Sequence, residues 1–561
     1  MPNEKTLAGN QRQHPSLKAQ AGRVIAVEGL DGAGKSTVIA VLAKRLREAG
    51  CPVFLPRTGK DPTSRPARMI RNLTRERLNL DLIPRAELAL YAAREAQILS
   101  EQVRPAVASG HAVLLDRSML TPVVLGSYGR GIPLADCEAI AQAASAGLNP
   151  DVTIILDVHP RTSRLRKRLG RARNPTIRNP SRKGLSGSGL KERQWEGYRK
   201  VAAERGYLLF HTERIDPNEL ADRVTQALAT GAPPSDFEQP GDGTPRWMVD
   251  PELSFEAALE QVPEDLALYM TRGLIAGRER RRAAVEREAS LVAWALDPED
   301  PLGPDLATTD AKRVFSTWIR KPLSGPDDLR VQLATQQPAA VAASLRHNLT
   351  PEADELRTRL ADDAPGEVLE SLAGREDAFA AELRARLWDQ GTVSQAANSL
   401  VRCEGEQAWK QRQELFERDP AMALKSVRGL SDDETHRLLA RYANQAPKSV
   451  LRALTSNGSE FAHDLRGQLV ETGREVIDSL GLLADEASMK FRAEHVERWP
   501  SSVLGSMTHL STEPGAAGLV ARATEAGAGD LHVLRQLQAR TERELRPEWK
   551  RTRDADEEVE D

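Results

Sequence analysis

The chain has 561 residues, room for about three to four domains at about 150 residues each, and an apolar content of 40% is ordinary for packed cores. A net charge of −3 points neither to nucleic acid nor to a membrane surface. No run approaches the ~18 consecutive apolar residues of a spanning helix, and the polar start, Met1 to Gln20, lacks the apolar stretch of a signal peptide.

Cys51, Cys137 and Cys403 lie far apart with no C-x-x-C spacing, so they read as reduced thiols in a cytoplasmic protein rather than a disulfide set or zinc site. Residues 1–20 read as a disordered tail. From 21 to 230, short apolar runs alternate with helical stretches. The strand candidates are Val24–Glu28, Pro52–Leu55, Ala112–Asp116, Val152–Asp157 and Tyr207–His211. Strands buried on both faces and separated by helices predict an α/β fold, a five-stranded parallel sheet covered on both sides. Ligands on such sheets bind at the carboxyl ends of the strands. Glu28, Arg57, Asp116 and Asp157 all sit at or just after such ends.

Between the first strand and a helical pattern over Val38–Leu46 lies Glu28-Gly29-Leu30-Asp31-Gly32-Ala33-Gly34-Lys35-Ser36-Thr37. It carries G-x-x-x-x-G-K-S as Gly29, Gly34, Lys35 and Ser36. Strand, glycine turn and helix N-terminus aim several backbone N–H groups at one point, the helix dipole adds partial positive charge, and Lys35 adds a full one. That is a cradle for nucleotide phosphates, with the Ser36 hydroxyl on Mg²⁺. Downstream, Asp116-Arg117 ends an apolar strand. The carboxylate is placed to hold Mg²⁺ through water, and the guanidinium to grip an anionic substrate bidentately. Arg94, on the helix before that strand, offers a second phosphate-binding cation. After Asp157 comes a stretch dense in arginine: Arg161, Arg164, Arg166, Arg168, Arg171, Arg173 and Arg178. Lys183 to Gly189, Lys-Gly-Leu-Ser-Gly-Ser-Gly, follows and reads by composition as a mobile segment.

Taken together, residues 23 to about 225 resemble the thymidylate kinases, a family of P-loop nucleoside-monophosphate kinases. The resemblance rests on the phosphate loop with its preceding acidic residue, on Pro56-Arg57-Thr58, Ala92-Ala93-Arg94 and Asp116-Arg117, and on Pro150-Asp151-Val152-Thr153 with the lid helix after it, all in the same order. It implies transfer of the ATP γ-phosphoryl group to a nucleoside monophosphate, most directly dTMP. Gly29, Gly32, Gly34, Lys35, Ser36 and Thr37 would then bind ATP, and Ser36 with Asp116 would hold Mg²⁺. Glu28, Asp31, Arg57, Arg94 and Arg117 would line the acceptor side. The loop itself carries no basic residue at Asp31-Gly32-Ala33. The resemblance therefore implies that a lid arginine, Arg171, Arg173 or Arg178, supplies the charge on the transferring phosphoryl group. The acceptor pocket departs from the family: Leu90 stands where a base-stacking Phe is usual, Ser118 follows Asp-Arg, and Thr121 is the one hydroxyl kept in a stretch that otherwise reads Pro122-Val123-Val124-Leu125-Gly126. A homodimer through the kinase domain is a further expectation.

Residues 231–250 have linker composition. Beyond them, over 251–545, no strand pattern occurs and a motif recurs every 26 to 28 residues. It opens at Pro338, Pro365, Pro420, Pro447 and Pro500 and closes on a small residue followed by an apolar one, as at Ser344-Leu345 and Ser371-Leu372. Ser399-Leu400 and Ser479-Leu480 fill the gaps without the proline. Twelve residues after each small residue an apolar position follows (Leu356, Leu383, Leu438, Leu465 and Phe491, with Gln411 the exception), usually preceding Arg. A weaker copy sits at Thr317-Trp318 and Leu329-Arg330. The period suits two helices of about ten residues stacked into an all-α solenoid, with proline in the first helical turn. Residues 546–561 read as a disordered acidic tail. Two functions fit: a monophosphate kinase whose repeats bind a protein partner or regulate it, or a nucleotide-sensing P-loop module fused to a protein-binding scaffold with weak or no turnover.

Overall fold

A computed structural model describes residues 15–56, 64–173, 182–212, 217–230, 254–260, 262–319, 321–508, 510, 513–527 and 531–544. The chain divides into two compact units. The first comprises Met1–Lys167 and Leu190–Arg246, the second Arg168–Gly189 and Trp247–Asp561. The stretch 168–189, expected within the kinase domain, thus belongs to the second unit. The expected linker over 231–250 and the tail over 546–561 lie outside the described residues.

The first unit contains α1 (Pro15–Lys18), β1 (Val24–Gly29), α2 (Lys35–Glu48), β2 (Val53–Phe54), α3 (Arg65–Arg75), α4 (Pro84–Ile98), α5 (Arg104–Ala108), β3 (Ala112–Asp116), α6 (Leu120–Val124), α7 (Leu134–Ser145) and β4 (Val152–Asp157), then β5 (Leu208–His211) and α10 (Pro217–Thr230). Helices α8 (Pro160–Arg173) and α9 (Gly189–Arg205) lead out of this unit and back into it. All pairings are parallel in the order β2-β3-β1-β4-β5. The expected α/β fold is therefore present, each strand lying within one residue of the run that predicted it. β1 shows why: Ile25 and Val27 face α2 and α10 through Val38, Leu42 and Val224, while Val24 and Ala26 face the opposite layer of Ile98, Val103 and Leu115. Alternate side chains of a strand point to opposite faces, so a central strand is apolar throughout.

The expected tail is ordered in its last residues. Leu17 of α1 is buried in the core shared by α2 and α10, and the Gln20 amide donates to the Leu228 carbonyl at 3.2 Å. Four charged or polar neighbours hid one useful leucine.

In the second unit, the two-helix repeat holds. First helices Pro338–Ser344, Pro365–Ser371, Pro447–Ala453 and Pro500–Ser506 begin on their prolines. The first three pack on the first helix of the next repeat, and the second helix, such as Pro351–Leu360 or Ala378–Leu387, packs on its own first helix. Second helices are capped at their N-termini by Thr350, Asp377, Asp432, Ser459 and Asp485, which satisfies one otherwise orphaned N–H each.

The apolar residue twelve after the serine is buried in three copies, at Leu356, Leu383 and Leu465, and the residue after it is buried in every copy. Arg357, Arg412, Arg466 and Arg492 are fully buried and Arg384 nearly so, whereas Leu438, Phe491 and Gln411 are only partly covered. Each guanidinium reaches back to carbonyls in the preceding turn: Arg357 to Asn348, Arg384 to Arg375 at 2.7 Å, Arg412 to Leu400 at 2.8 Å, Arg466 to Leu454 at 2.7 Å and Arg492 to Leu483 at 2.7 Å. Each also reaches forward to the next repeat's serine. The Nε of Arg357, Arg466 and Arg492 donates to the Ser371, Ser479 and Ser506 hydroxyls at 3.0, 3.0 and 2.9 Å. The serine is small, as a helix contact needs, and it also receives the staple. Arg330 of the weaker copy is fully buried and donates to the Lys321 carbonyl at 2.8 Å. In one repeat Leu439 takes the arginine's place, and the carbonyl left over, that of Leu430, accepts instead from the Asn457 amide at 3.0 Å.

Candidate functional site

The phosphate loop joins β1 to α2 at the carboxyl edge of the sheet. Gly29 has φ 124°, and an added Cβ would meet the Leu156 carbonyl oxygen at 2.3 Å, so only glycine lets β1 lie this close to β4. Gly34, at φ 93°, turns the chain into α2 and leaves the helix without a side-chain cap. The first-turn N–H groups are therefore open to an anion at the positive end of the helix. Lys35 is buried, with its ammonium on the Gly29 and Leu30 carbonyls at 3.2 and 2.9 Å. Burial and the nearby Arg117 push its pKa down to about 8, against the pull of Asp31, Asp116 and Glu28. The Ser36 hydroxyl donates to Asp116 at 3.0 Å. Among the described residues no group of three or more His, Cys, Asp or Glu could cage a metal. One hydroxyl and one carboxylate beside a phosphate cradle fit Mg²⁺, which is commonly held by one or two protein ligands plus substrate phosphates.

Arg117 follows β3 with φ 83°, a left-handed conformation that is costly for a residue with a Cβ. Its guanidinium is spread over four acceptors: the Asp31 carboxylate at 2.5 Å, the Gly29 carbonyl at 3.1 Å, the Thr121 hydroxyl at 3.1 Å and the Tyr198 hydroxyl at 3.5 Å. Burial disfavours its charge, but Asp31, Tyr198 and Glu28 more than compensate and hold it firmly protonated. Glu28 is fully buried and accepts from the Ser118 amide (2.7 Å), the Ser118 hydroxyl (2.9 Å), the Thr121 hydroxyl (2.7 Å) and the Tyr198 hydroxyl (3.1 Å). Both its oxygens are engaged, so Glu28 positions the turn after β3, and the Thr121 hydroxyl is part of the same network rather than facing outward. Ser118 at the family's aromatic position supplies two of those four donors.

Helix α8 docks on the loop from the other side through Ser163, Arg166 and Lys167, which share one helical face at i, i+3 and i+4. The Ser163 hydroxyl donates to the Asp31 carbonyl at 2.7 Å, Arg166 to the Gly32 carbonyl at 3.2 Å, and Lys167 to the Asp31 carboxylate at 2.8 Å. Asp31 is half-exposed. Partial burial works against its ionisation, but Arg117, Lys167 and Lys35 hold its pKa well below the usual carboxylate range. Lys191 on α9 lies 3.4 Å from the Ser163 hydroxyl, its pKa pushed down to about 7 by burial and by Lys167 and Arg164. Lys167, Lys191, Ser163 and Tyr198 were not singled out in the sequence. The face of α8 that carries Ser163 and Lys167 was readable only by marking every basic residue, lysine included, at helical spacing from Ser163, and Lys191 and Tyr198 lie on α9.

The other expected residues are placed as follows. Arg94 is buried on α4, paired with its neighbour Glu95 through an Nε contact of 3.1 Å, with its guanidinium 5.4 Å from the Tyr91 ring centroid. Burial raises the Glu95 pKa, and Arg94 offsets part of that rise. Leu90 is half-buried on the same helix. Arg171 is exposed in the second unit. Arg57, Arg178 and the Arg173 side chain lie outside the described residues.

Residues 27–182 match the family model described as thymidylate kinase. A thymidylate kinase of Trichlorobacter lovleyi is 36% identical over 208 residues, covering 36% of this chain and 95% of the relative. One from Pelotomaculum thermopropionicum is 33% identical over 216 residues, covering 37% and 97%. One from Geotalea daltonii is 34% identical over 210 residues, covering 37% and 96%.

Proposed function

The chain belongs to the thymidylate kinase family of nucleoside-monophosphate kinases, and from that premise we propose that its first unit transfers the γ-phosphoryl group of ATP to dTMP. The observation that carries this reading is Asp31, a loop carboxylate bracketed by Arg117 from β3 and Lys167 from α8. It puts two cations at the mouth of the phosphate cradle, where acceptor and donor phosphates would meet. Phosphoryl transfer asks for positioning and charge neutralisation rather than covalent chemistry. The loop N–H groups and Lys35 would hold the ATP phosphates. Arg117, with Arg94 and Arg57, would bind the acceptor phosphate. Mg²⁺, when bound at Ser36 and Asp116, would neutralise charge on the transferring group. The cation that completes the loop is Lys167 in this reading, because it stands on the docked face of α8. A phosphoryl-transfer assay across the common nucleoside monophosphates tests the proposal. ADP formation above background with dTMP supports it, and none with any acceptor sinks it. We propose in addition that the protein is cytoplasmic, its three cysteines being free and buried, and that kinase units pair as a homodimer, for which sedimentation equilibrium is the check.

Two expectations arise from the charges. Phosphates bind the protonated Lys35, whose pKa in the free protein is about 8. Nucleotide affinity is then full below that pH and weakens as pH rises, by about tenfold at pH 9. Calorimetric titration of a non-hydrolysable ATP analogue from pH 6.5 to 9.5 checks this, with a flat profile expected in Lys35→Met. Arg117→Gly suits the positive φ and removes the guanidinium. The dTMP KM should rise about tenfold or more, as expected for loss of a charge-assisted phosphate contact, with a smaller change in the ATP KM. An unchanged dTMP KM would place the acceptor elsewhere.

A further inference from the structure

The turn after each first helix recurs in register along the repeats, and three of these turns carry an arginine. Arg346 follows Ser344-Leu345 and Arg428 follows Ser426-Val427, the same register position in two copies. Arg402 stands one residue later, in the copy whose first helix is Val393–Ser399. The copy ending at Ser371-Leu372 has Ala373-Gly374 there instead. Among the described residues, the guanidiniums of Arg346, Arg402 and Arg428 make no hydrogen bond or ion pair, and the Arg346 Nε is buried without a partner. Other arginines of the repeats are engaged. The buried staples hold carbonyls, and Arg375 holds Asp354 and Asp377 at 2.6 and 2.8 Å.

The three cations lie together. The Arg402 amide donates to the Arg428 carbonyl at 3.1 Å. The Arg402 side chain runs over Gly429, where an added Cβ would meet its Cγ at 2.6 Å and its Nε at 3.3 Å. Burial presses the Arg428 pKa down, and Arg346 and Arg402 press it further, with no carboxylate among the groups acting on it. Two copies separate Arg346 from Arg428 along the chain, so the array curves enough for their charges to act on each other. Arg402 and Arg428 are nonetheless exposed, and Arg346 is half-buried. Partial enclosure with access to solvent describes a concave face. Glu376, from the turn of an intervening copy, is turned to the Glu404 and Gly405 amides at 2.7 and 3.3 Å.

The backbone adds a second sign. Arg402 has φ 62°, whereas Gly374 and Gly429, at φ 79° and 84°, fill the matching turn position of the neighbouring copies. A residue with a Cβ is strained in that left-handed conformation. An arginine therefore stands where glycine would be easier, beside two like charges that repel it. Both features work against the folded unit until an anion arrives. Guanidinium forks stay charged and grip oxyanions bidentately, and three of them with no carboxylate among them match the two charges of a phosphate group. We propose that Arg346, Arg402 and Arg428 form an anion site on a concave face of the repeats that takes a phosphate group, free or as a small phosphomonoester. All three residues lie in the second unit, and the site does not rest on the phosphoryl-transfer reading.

The test uses the full chain carrying Lys35→Met, which removes the cation of the phosphate loop. Calorimetric titration at low salt with inorganic phosphate and, separately, with O-phosphoserine should show saturable binding. Binding of inorganic phosphate assigns the site to the free anion, and binding of O-phosphoserine alone assigns it to a phosphomonoester; both support the proposal. Adding Arg428→Gln should weaken the anion that binds by about tenfold or more, the scale of one lost charge-assisted contact. Adding Arg402→Gly should weaken it similarly, while the anion-free chain melts no lower than its parent, because glycine suits the positive φ and one like charge is gone. An arginine serving structure alone would lower that melting temperature and leave anion affinity unchanged. Affinity unchanged in both variants overturns the proposal, as does the absence of saturable binding to either anion.

Discussion

Lys35→Ala is expected to lower kcat by about a thousandfold or more without unfolding the protein. Removing a single preorganised donor from a charge-stabilising site typically costs about 10²–10³ in rate. Lys35 contributes a full charge at the helix N-terminus, where phosphate charge would collect. It is also the group most poorly suited to its surroundings when no nucleotide is bound. Burial and Arg117 press its pKa down to about 8, so keeping it charged costs the folded unit free energy below that pH, a cost relieved as pH climbs toward the lysine's ordinary value. The alanine variant should therefore melt no lower than the wild type at pH 7 in the absence of nucleotide. What it should lose is the rise in melting temperature on adding ATP, because stabilisation by a ligand follows its affinity for the folded state. Turnover within tenfold of wild type would remove the loop from the chemistry. A large drop in the nucleotide-free melting temperature would mean that Lys35 is a structural residue and that the kinetic loss says little.

Much of this architecture was legible in the sequence because it depends on local pattern. The strands are apolar runs bounded by turn residues, and the phosphate loop combines glycines, lysine and serine at a spacing fixed by backbone geometry. The repeats announce themselves by period. What the sequence hid depends on docking. Which basic residue of the arginine-rich helix meets Asp31 is set by the face that Ser163 turns toward the loop, and that face carries Lys167. Glu28 looks from its position like a residue for substrate, yet its four donors come from Ser118, Thr121 and Tyr198, the last 170 residues away in sequence. The glycines near Ser188 look like a hinge until Thr472 and Gly473 are brought against them. Composition describes what a segment would do alone, and these segments are not alone.

The repeats carry the second large effect. Arg466→Ala should destabilise the helical unit by about 3–5 kcal/mol, the range for removing a large buried side chain and leaving its neighbours unsupported. That is a sizeable share of the 5–15 kcal/mol of net stability usual for a domain. Arg466→Leu should cost much less, under about 2 kcal/mol. Two opposed terms decide the difference. Arg466 ties Leu454 and Ser479 across two repeats, but burial pushes its pKa down to about 10, so carrying the charge works against folding at every pH below that value. Leucine fills most of the volume and removes the buried charge. The carbonyls of Leu454 and Ser479 still accept from the Asn457 and Ser456 amides at 3.0 and 3.1 Å. The chain already runs this substitution at Leu439, which is nearly fully buried at the same repeat position with Asn457 covering the Leu430 carbonyl. Urea titration of the full chain, following the helical signal of the repeats, measures both variants. If leucine proves as damaging as alanine, the arginines are required for their hydrogen bonds. If alanine costs less than about 1 kcal/mol, they are not what holds one repeat to the next.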